Sequence, residues 1–292
     1  KSVVMIVGIP KEIKSDEKRV SVLPYLIRPI LNLGHQVLFQ KGAGIESGVS
    51  DSAYEKEGAL LVNSIEDIYK KSDLIIKVKE PLDSELSLIR ESQIVFTFFH
   101  FAGDKDLTEK FIKTKAIAVA YETVENSDGS LPLLTPMSEI AGRMAIQNGA
   151  KYLEGTFGGN GKLLSGVPGV DPATVTIIGG GVVGLNAAKL ASGLGAKVNV
   201  LDINMDRLRY LDDIMPSNVI TLHSNTYNIN KLMPKTDLLV GGVLVPGSTA
   251  PKIITKETLS LMKPGSVVVD VAVDQGGCIE TTKPTTHKNP IF

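Results

Sequence analysis

Short runs of almost continuously apolar residues alternate along the chain with longer amphipathic segments. Such runs are typical of parallel strands covered by helices on both faces of a sheet. The pattern predicts a first set of strands at Met5–Ile9, Gln36–Gln40, Ala59–Val62, Leu74–Val78, Ile94–Phe99 and Ile117–Tyr121. It predicts a second set at Val175–Ile178, Lys197–Leu201, Val219–Leu222, Leu238–Val243 and Val267–Val271. The predicted fold class is therefore α/β, with two parallel-sheet domains.

Turn-forming residues between the two strand sets mark a domain seam at Ser127–Pro136. Before it, helices are predicted at Tyr25–Gly34 and Asp104–Lys115. After it, Ser138, followed by an acidic residue, is expected to cap a helix that runs to about Glu154. We therefore expect one domain at residues 1–131, and a linker helix with a second domain at residues 132–292.

Composition narrows the class of protein. The 292 residues are 43% hydrophobic and carry a formal net charge of -1, a composition that excludes a disordered chain. The balanced charge gives no excess of basic residues that would indicate binding to nucleic acid or to an anionic membrane. The one cysteine, Cys278, excludes a disulfide scaffold or a thiolate zinc site. No run of eighteen apolar residues and no signal peptide is found, so a soluble cytoplasmic protein is expected.

Other catalytic classes lack their motifs. His35, His223 and His287 have no metal-ligand spacing with one another or with Cys278, so no metal is expected. The sequence contains no GxSxG, no P-loop lysine and no paired catalytic cysteine and histidine. Hydrolase and nucleotide-kinase functions therefore have no nucleophile or phosphate-transfer motif to support them.

The strongest local signal is a GxGxxG formed by Gly179, Gly181 and Gly184 between an apolar strand and a predicted helix. The first glycine allows the tight turn, the second lets the backbone approach a pyrophosphate, and the third permits close helix–strand packing. Free N–H groups and the helix dipole then face the phosphates. A glycine triplet alone also occurs in structural turns. Here Asp202 ends the next strand 18 residues after Gly184, near the roughly 20 expected for a ribose-binding acid, so a Rossmann dinucleotide site is favoured.

Asp202 also favours NAD over NADP. A carboxylate accepts hydrogen bonds from both ribose hydroxyls, whereas a 2′-phosphate at about 4 Å would be repelled by about 4 kcal/mol per unit charge at an effective dielectric of about 20. Arg207 is close enough in sequence to weaken this repulsion. NADP is therefore disfavoured without being excluded.

Two residues at predicted carboxyl ends of strands are candidates for proton transfer. His100 ends the run at Ile94–Phe99, and open α/β sheets bind ligands at that edge. An imidazole, with an unperturbed pKa of about 6.5, suits proton transfer to a carbonyl oxygen. On spacing alone, a hydrogen-bonded core or surface histidine is the stronger interpretation.

Asp274 follows the last predicted strand and precedes two glycines, so a turn-forming role and an orienting role for ammonia or water are equally supported.

Basic residues near the strand ends are candidates for binding an anion. Lys77 and Lys79 lie two apart in an apolar run, so an extended strand would point both to the same face. Arg19 follows the first strand and offers a carboxylate two parallel hydrogen bonds. A bound anion would explain Arg19 and one or both lysines; solvated surface charge is the alternative. For Lys14, Glu17 and Lys18 we expect surface charge.

At this point the motifs resemble a known family. In order along the chain they are VGIPKEIK, KVKEP, TFFHFA, YETV, PLLTPMSEIAGR, GVPGV, GGGVVG, VLDIN, VLVPG and DVAVDQGGC. The chain is similar over Met5 to about Pro290 to the bacterial alanine dehydrogenase family. The related transhydrogenase α subunit shares the opening and the nucleotide loop, but MSEIAGR and DQGG favour alanine dehydrogenase.

The resemblance implies reversible oxidative deamination of L-alanine to pyruvate and ammonia with NAD. It implies an active site in a cleft between the substrate domain and the NAD domain, and assembly as a homohexamer. His100 would be the acid/base beside the substrate carbonyl, Asp274 a second proton-transfer residue, and Arg19 and Lys79 the substrate-binding residues. The residues implied to line the NAD site, besides the glycine loop, are Ser138, Val182, Val183, Asp202, Arg207, Ser224, Val243, Leu244, Val271, Ala272, Val273 and Asp274.

One departure from the family leaves alternatives open. Family members continue for several dozen residues past the equivalent of Phe292, with a cofactor-contacting loop and helices that return to the first domain. If the whole protein ended at Phe292, we would expect part of the NAD site to be missing. If the sequence is a shortened chain of a longer protein, that expectation does not apply. The alternatives to an alanine dehydrogenase are thus a soluble transhydrogenase-like subunit that needs a membrane partner, and a non-catalytic NAD-binding remnant.

Overall fold

The chain divides into two units, Lys1–Leu131 and Pro132–Phe292, and each unit contains its own parallel sheet. The computed structural model describes residues 4–243, 250–273, 276–286 and 288–292. The α/β class with two parallel-sheet domains, predicted from the apolar runs, is confirmed.

The first unit is a six-stranded parallel sheet with helices between the strands. Its strands are β1 (Ile6–Ile9), β2 (Gln36–Gln40), β3 (Leu60–Val62), β4 (Leu74–Ile76), β5 (Ile94–Thr97) and β6 (Ile117–Ala120). Its helices are α1 (Ile27–Asn32), α2 (Asp51–Lys56), α3 (Ile65–Lys71), α4 (Asp83–Leu86) and α5 (Lys105–Lys113). The strand order is β3-β2-β1-β4-β5-β6. Because the winding reverses between β1 and β4, a crevice opens at the carboxyl ends of these two strands.

The second unit repeats this plan with a different set of turns. Its strands are β7 (Thr174–Ile178), β8 (Lys197–Asp202), β9 (Val219–His223), β10 (Leu238–Gly241) and β11 (Val267–Asp270). Its helices are α6 (Thr135–Leu153), α7 (Val182–Gly193), α8 (Met205–Ile214), α9 (Thr226–Leu232) and α10 (Lys256–Leu259). The described strands follow the order β11-β10-β7-β8-β9, so the winding reverses between β7 and β10.

The central strands of both sheets are buried on both faces, as their continuous apolar runs predict, whereas the edge strand β6 is largely exposed. In β2, Val37 and Phe39 belong to one core cluster while Leu38, between them, belongs to another. Successive side chains of a strand point to opposite faces, so the two clusters cover the two sides of the first sheet. The second sheet behaves alike: Ile177 and Ile178 of β7 fall in different clusters.

Some predicted boundaries are wrong by a few residues, and two of these errors matter for the site. β4 ends at Ile76 instead of Val78, so Lys77 and Lys79 lie beyond the strand. Helix α6 begins at Thr135, which places Ser138 inside its first turn, where its N–H donates to the Leu134 carbonyl oxygen at 3.0 Å. The predicted Ser138 cap is therefore wrong. Pro136 starts this helix earlier, because its fixed φ suits the first turn and that position needs no N–H partner.

Within the described part of the chain, no helix is both long enough and apolar enough to cross a membrane. Within the same residues, no group of three or more His, Cys, Asp or Glu side chains is arranged to hold a metal ion.

Candidate active site

The carboxyl ends of β1, β4 and β5 carry the three described candidates in the first unit. Arg19 follows β1, Lys79 follows β4 and His100 follows β5. Backbone pairing between the two latter segments continues past the strands, since the Phe98 N–H donates to the Val78 carbonyl oxygen at 3.3 Å. Thr97 Oγ1 also donates to the Lys79 carbonyl oxygen at 2.8 Å. The three side chains thus originate at the switch point and the strand beside it, which is where an open α/β sheet binds ligands.

Lys77 does not belong to an anion site. Its side chain is fully buried, with Nζ 2.6 Å from Glu85 Oε1 and 3.1 Å from Glu12 Oε2. Tyr69 OH donates to the same Glu85 oxygen at 3.1 Å. The two lysines have different surroundings, since Lys77 is fully buried and Lys79 is only half-buried. Lys77 is the cation that pairs with both buried carboxyl groups, and Lys79, which is half-buried, is the remaining candidate.

Glu12 is a residue that the sequence analysis missed. Its Oε1 accepts the backbone N–H of Val78 at 2.6 Å and that of Lys79 at 3.4 Å, while Oε2 accepts from Lys77. Burial raises the pKa of Glu12 above its ordinary value, and the charge of Lys77 opposes that rise. Through its hydrogen bonds to the two backbone N–H groups, the Glu12 side chain fixes the backbone that carries Lys79. The motif VGIPKEIK contained this residue, but a contact across 66 positions leaves no local signal.

Arg19 is oriented by Glu17, which contradicts the expectation that Glu17 is solvated surface charge. The pair is bidentate, with Nε 2.9 Å from Oε1 and Nη2 2.7 Å from Oε2, and the Glu17 side chain is only 8% exposed. The hydrogen bonds from Arg19, and more weakly the charge of Lys79, hold the pKa of Glu17 below its ordinary value. Lys14 is also paired, with Glu80. Glu17 thus lies within electrostatic reach of both Arg19 and Lys79.

His100 adopts a left-handed backbone conformation, with φ 56° and ψ 34°. Its ring lies parallel to the ring of Phe98, with centroids 6.0 Å apart. The Nδ1 atom is buried and has no hydrogen-bond partner among the described residues. Buried polar atoms are nearly always paired in folded proteins, so this nitrogen is a place where a ligand atom would complete a hydrogen bond.

In the second unit, the glycine loop has the geometry of a phosphate-binding turn. Gly179 has φ 98°, a conformation that favours glycine. A Cβ on Gly184 would lie 1.8 Å from the Gly179 carbonyl oxygen, so helix α7 can approach β7 only with glycine there. A Cβ on Gly181 would meet nothing within 4 Å. Open space therefore lies beside the residue that immediately precedes α7, where N–H groups and the helix dipole attract an anion.

Asp202 lies at the end of β8 and is held against this loop. Its Oδ2 accepts the Gly180 N–H at 2.6 Å, and its Oδ1 accepts the Asn204 N–H at 2.8 Å. Each carboxylate oxygen retains a second acceptor site, so the ribose hydroxyls of a dinucleotide could still donate to it. Arg207 donates to the Gly180 carbonyl oxygen and stacks on Tyr210, 4.9 Å from the ring centroid. These residues and the loop fit a dinucleotide.

The other predicted cofactor residues follow the same edge of the sheet. Ser138 lies in the first turn of α6, Val182 and Val183 begin α7, Ser224 follows β9, and Val243 follows β10. Val271, Ala272 and Val273 follow β11. Asp274 and Leu244 lie outside the described residues, so their roles stay predictions from the sequence.

Asp270, at the end of β11, is a second residue that sequence reasoning missed. Its carboxylate accepts from Thr282 Oγ1 at 2.6 Å, from the N–H of Ile279 at 3.1 Å and from the N–H of Ala272 at 3.1 Å. Cys278 lies beside it, and burial followed by the Asp270 charge raises the pKa of that thiol to about 12. Asp270 organises the turn after β11, and Cys278 is a buried, protonated thiol.

The strand order and the glycine loop define the class: an α/β protein whose second unit is a Rossmann dinucleotide-binding domain. Two family models match the chain, the alanine dehydrogenase/PNT N-terminal domain over residues 8–141 and the alanine dehydrogenase/PNT C-terminal domain over residues 145–292. The chain belongs to the alanine dehydrogenase/PNT family.

Similar proteins share nearly the whole length of this chain. The alanine dehydrogenase of Methanococcus maripaludis is 53% identical over 99% of this chain and 78% of its own length. That of Mycobacterium tuberculosis is 46% identical with the same coverages. A solved structure of L-alanine dehydrogenase superposes with a TM-score of 0.91 at 48% identity, covering 99% of this chain and 80% of that one. A transhydrogenase from Sinorhizobium meliloti gives 0.79 at 27% identity, covering 95% and 81%.

Proposed function

We propose that this chain catalyses the reversible oxidative deamination of L-alanine to pyruvate and ammonia with NAD. The observation that carries the proposal is identity of 53% and 46% to two alanine dehydrogenases over 99% of the chain. That span includes the strand ends of the first unit and the glycine loop of the second.

Arg19 and Lys79 are proposed to hold the 2-oxo acid. A planar guanidinium matches a carboxylate in a bidentate geometry, and Glu17 limits the rotation of the Arg19 side chain through two hydrogen bonds. Lys79 supplies a compact positive charge on a backbone that Glu12 holds. Fixing both ends of a small substrate orients its C2 atom and removes rotational freedom before reaction.

His100 is proposed to transfer the proton at the substrate carbonyl oxygen. During addition of ammonia to pyruvate, negative charge develops on that oxygen, and a protonated imidazole stabilises it and then donates its proton. The buried, unpartnered Nδ1 supports this role. In the oxidative direction the neutral ring accepts the proton from the hydroxyl of the hydrated intermediate. Asp274 remains the predicted second proton-transfer residue.

NAD is the proposed cofactor. When bound, its nicotinamide would accept the hydride from the substrate C2 atom in the oxidative direction. The proposed contacts from this chain are the N–H groups at the start of α7 for the pyrophosphate and Asp202 for the ribose. The Asp202 charge, with Arg207 turned toward the carbonyl oxygen of Gly180, supports NAD over NADP. The homohexamer implied by the resemblance and the cytoplasmic location expected from the sequence stay predictions, and light scattering after size exclusion tests the first.

The direct test is the loss of NADH absorbance with pyruvate, with and without ammonium. Ammonium-dependent oxidation is the expected result. Oxidation of NADH by pyruvate without ammonium would contradict amino-acid dehydrogenation, and binding of NADH without turnover would favour a non-catalytic nucleotide binder. The transhydrogenase-like alternative is less supported, because the identity to a transhydrogenase is 27% against 48% to an alanine dehydrogenase structure.

A further inference from the structure

Glu122 contacts the backbone of the proposed proton-transfer residue from the neighbouring strand. It follows β6, within the YETV segment, and is half-buried. Its Oε1 lies 2.6 Å from the His100 backbone nitrogen. Its two carboxylate oxygens lie 3.2 and 3.3 Å from the Phe99 backbone nitrogen. One carboxylate therefore accepts from two successive amides at the carboxyl end of β5.

These hydrogen bonds explain how His100 keeps an uncommon conformation. A left-handed backbone at a residue with a Cβ is disfavoured, and here φ is 56°. Successive N–H groups in such a turn can point to the same side and form a concavity that attracts an anion. The Glu122 carboxylate occupies that position as a built-in anion. Without it, the two N–H groups would lose their acceptor and the left-handed turn would lose its main support.

The residue before Glu122 holds the neighbouring side chains. The Tyr121 ring meets Phe96 edge-on at 4.3 Å and Phe98 edge-on at 4.9 Å between centroids. Phe98 in turn lies parallel to the His100 ring. The end of β6 thus restrains the end of β5 twice, through aromatic packing and through the carboxylate.

We propose that Glu122 is a positioning residue that sets the direction of the His100 ring through the backbone amides of Phe99 and His100. This inference rests on the proposed function, because it assigns the positioned ring a proton-transfer step. Glu122 contacts the main chain, so it acts through its acceptor oxygens and not as a proton carrier. A hydrogen-bond acceptor at this position should therefore matter more than a negative charge.

The test compares Glu122→Ala and Glu122→Gln with the unchanged chain in the pyruvate and ammonium assay. Displacement of a catalytic group by about 1 Å can cost about 100-fold, so we expect Glu122→Ala to lower kcat by about 10- to 100-fold per NADH-binding site. The KM for pyruvate should stay within about twofold, since Arg19 and Lys79 keep their own supports. Glu122→Gln retains an acceptor oxygen and should recover most of the lost kcat.

The matched control is Glu125→Gln, an exposed glutamate three residues further along the same segment, which should leave kcat and KM unchanged. Unchanged kcat in Glu122→Ala, or a loss of kcat in Glu122→Gln as large as in Glu122→Ala, would overturn the proposal. If Glu122→Ala does not fold, Glu122→Asp is compared with Glu122→Gln instead. The shorter aspartate side chain cannot reach both amides, so its kcat should be lower than that of the glutamine variant. A kcat for Glu122→Asp that is no lower than that for Glu122→Gln would contradict the proposal. Absence of turnover in the unchanged chain would refute the proposed function instead, which separates the two failures.

Discussion

The described strands of the second unit repeat the order of the first five strands of the first unit, but the two units differ in the segment that follows the strand where the winding reverses. In the second unit, β7 passes through the glycine loop directly into α7, which leaves backbone N–H groups and open space beside Gly181. In the first unit, β1 is followed by a long irregular segment that carries Glu12, Glu17 and Arg19 before α1 begins at Ile27.

The difference shows that topology provides a crevice while the segment after the first strand selects its ligand. A glycine loop presents main-chain donors and a helix dipole, which suit an extended pyrophosphate. A charged segment presents side-chain donors that must be held in place, which suits a small carboxylate. The first unit accordingly uses carboxylates as supports, with Glu12 and Glu122 accepting main-chain amides next to Lys79 and His100.

The largest expected effect comes from removing the proton-transfer group of the first unit. His100→Ala should lower kcat by about 10²- to 10⁴-fold, the usual contribution of general acid–base catalysis. The NADH dissociation constant, measured by fluorescence, should change by less than about twofold because the glycine loop lies in the other unit. An unchanged kcat would remove His100 from the mechanism, and weakened NADH binding would contradict the division of roles.

The second effect is on stability and is confined to the first unit. Lys77→Met leaves Glu12 and Glu85 buried without their cation, which should reduce the free energy of unfolding by about 3–5 kcal/mol. Urea denaturation followed in the full chain measures it. Lys71→Met removes an exposed pair with Asp67 and should leave the urea midpoint nearly unchanged. Equal effects of the two substitutions would show that Lys77 is not a structural cation.

A third substitution tests the second unit. Gly184→Ala places a Cβ 1.8 Å from the Gly179 carbonyl oxygen, so the loop must move. Overpacking at such a contact costs about 1–3 kcal/mol. Because the displaced loop is the proposed phosphate-binding site, we expect NADH to bind about tenfold or more weakly. The control is Gly193→Ala in the same helix, where a Cβ meets nothing within 4 Å and binding should be unchanged. Normal NADH affinity in Gly184→Ala would mean that this close approach is unnecessary.

The smallest expected effect is on the choice of dinucleotide. Asp202→Ser removes a charge that would repel a 2′-phosphate, so the preference for NADH over NADPH should fall by about tenfold. The ratio of the two kcat/KM values measures it. Asp206→Ser changes an exposed carboxylate paired with Arg209 and should leave the ratio unaltered. An unshifted ratio in Asp202→Ser would show that this carboxylate does not select the dinucleotide.

Much of the site followed from local patterns. The glycine loop, Asp202 and His100 each stand at the end of an apolar run, and parallel strands bring such ends to one edge of a sheet, whereas the substrate-binding roles of Arg19 and Lys79 were implied by the resemblance. The prediction of Lys77 as an anion-binding residue failed because its buried side chain pairs with Glu12 and Glu85, which an apolar run does not reveal. Prediction of Glu17 failed because a charged residue in a polar segment gives no sign of its burial.

The sequence by itself determined the fold class and the dinucleotide loop, because apolar periodicity and glycine spacing act over a few residues. Only the tertiary structure decided which charged residues hold other residues in place and which are candidates to bind a ligand. Glu12 reaches Val78 across 66 positions, and Glu122 reaches His100 across 22. Contacts of that separation depend on strand order, and the stability of a buried charge depends on the partner that strand order brings to it.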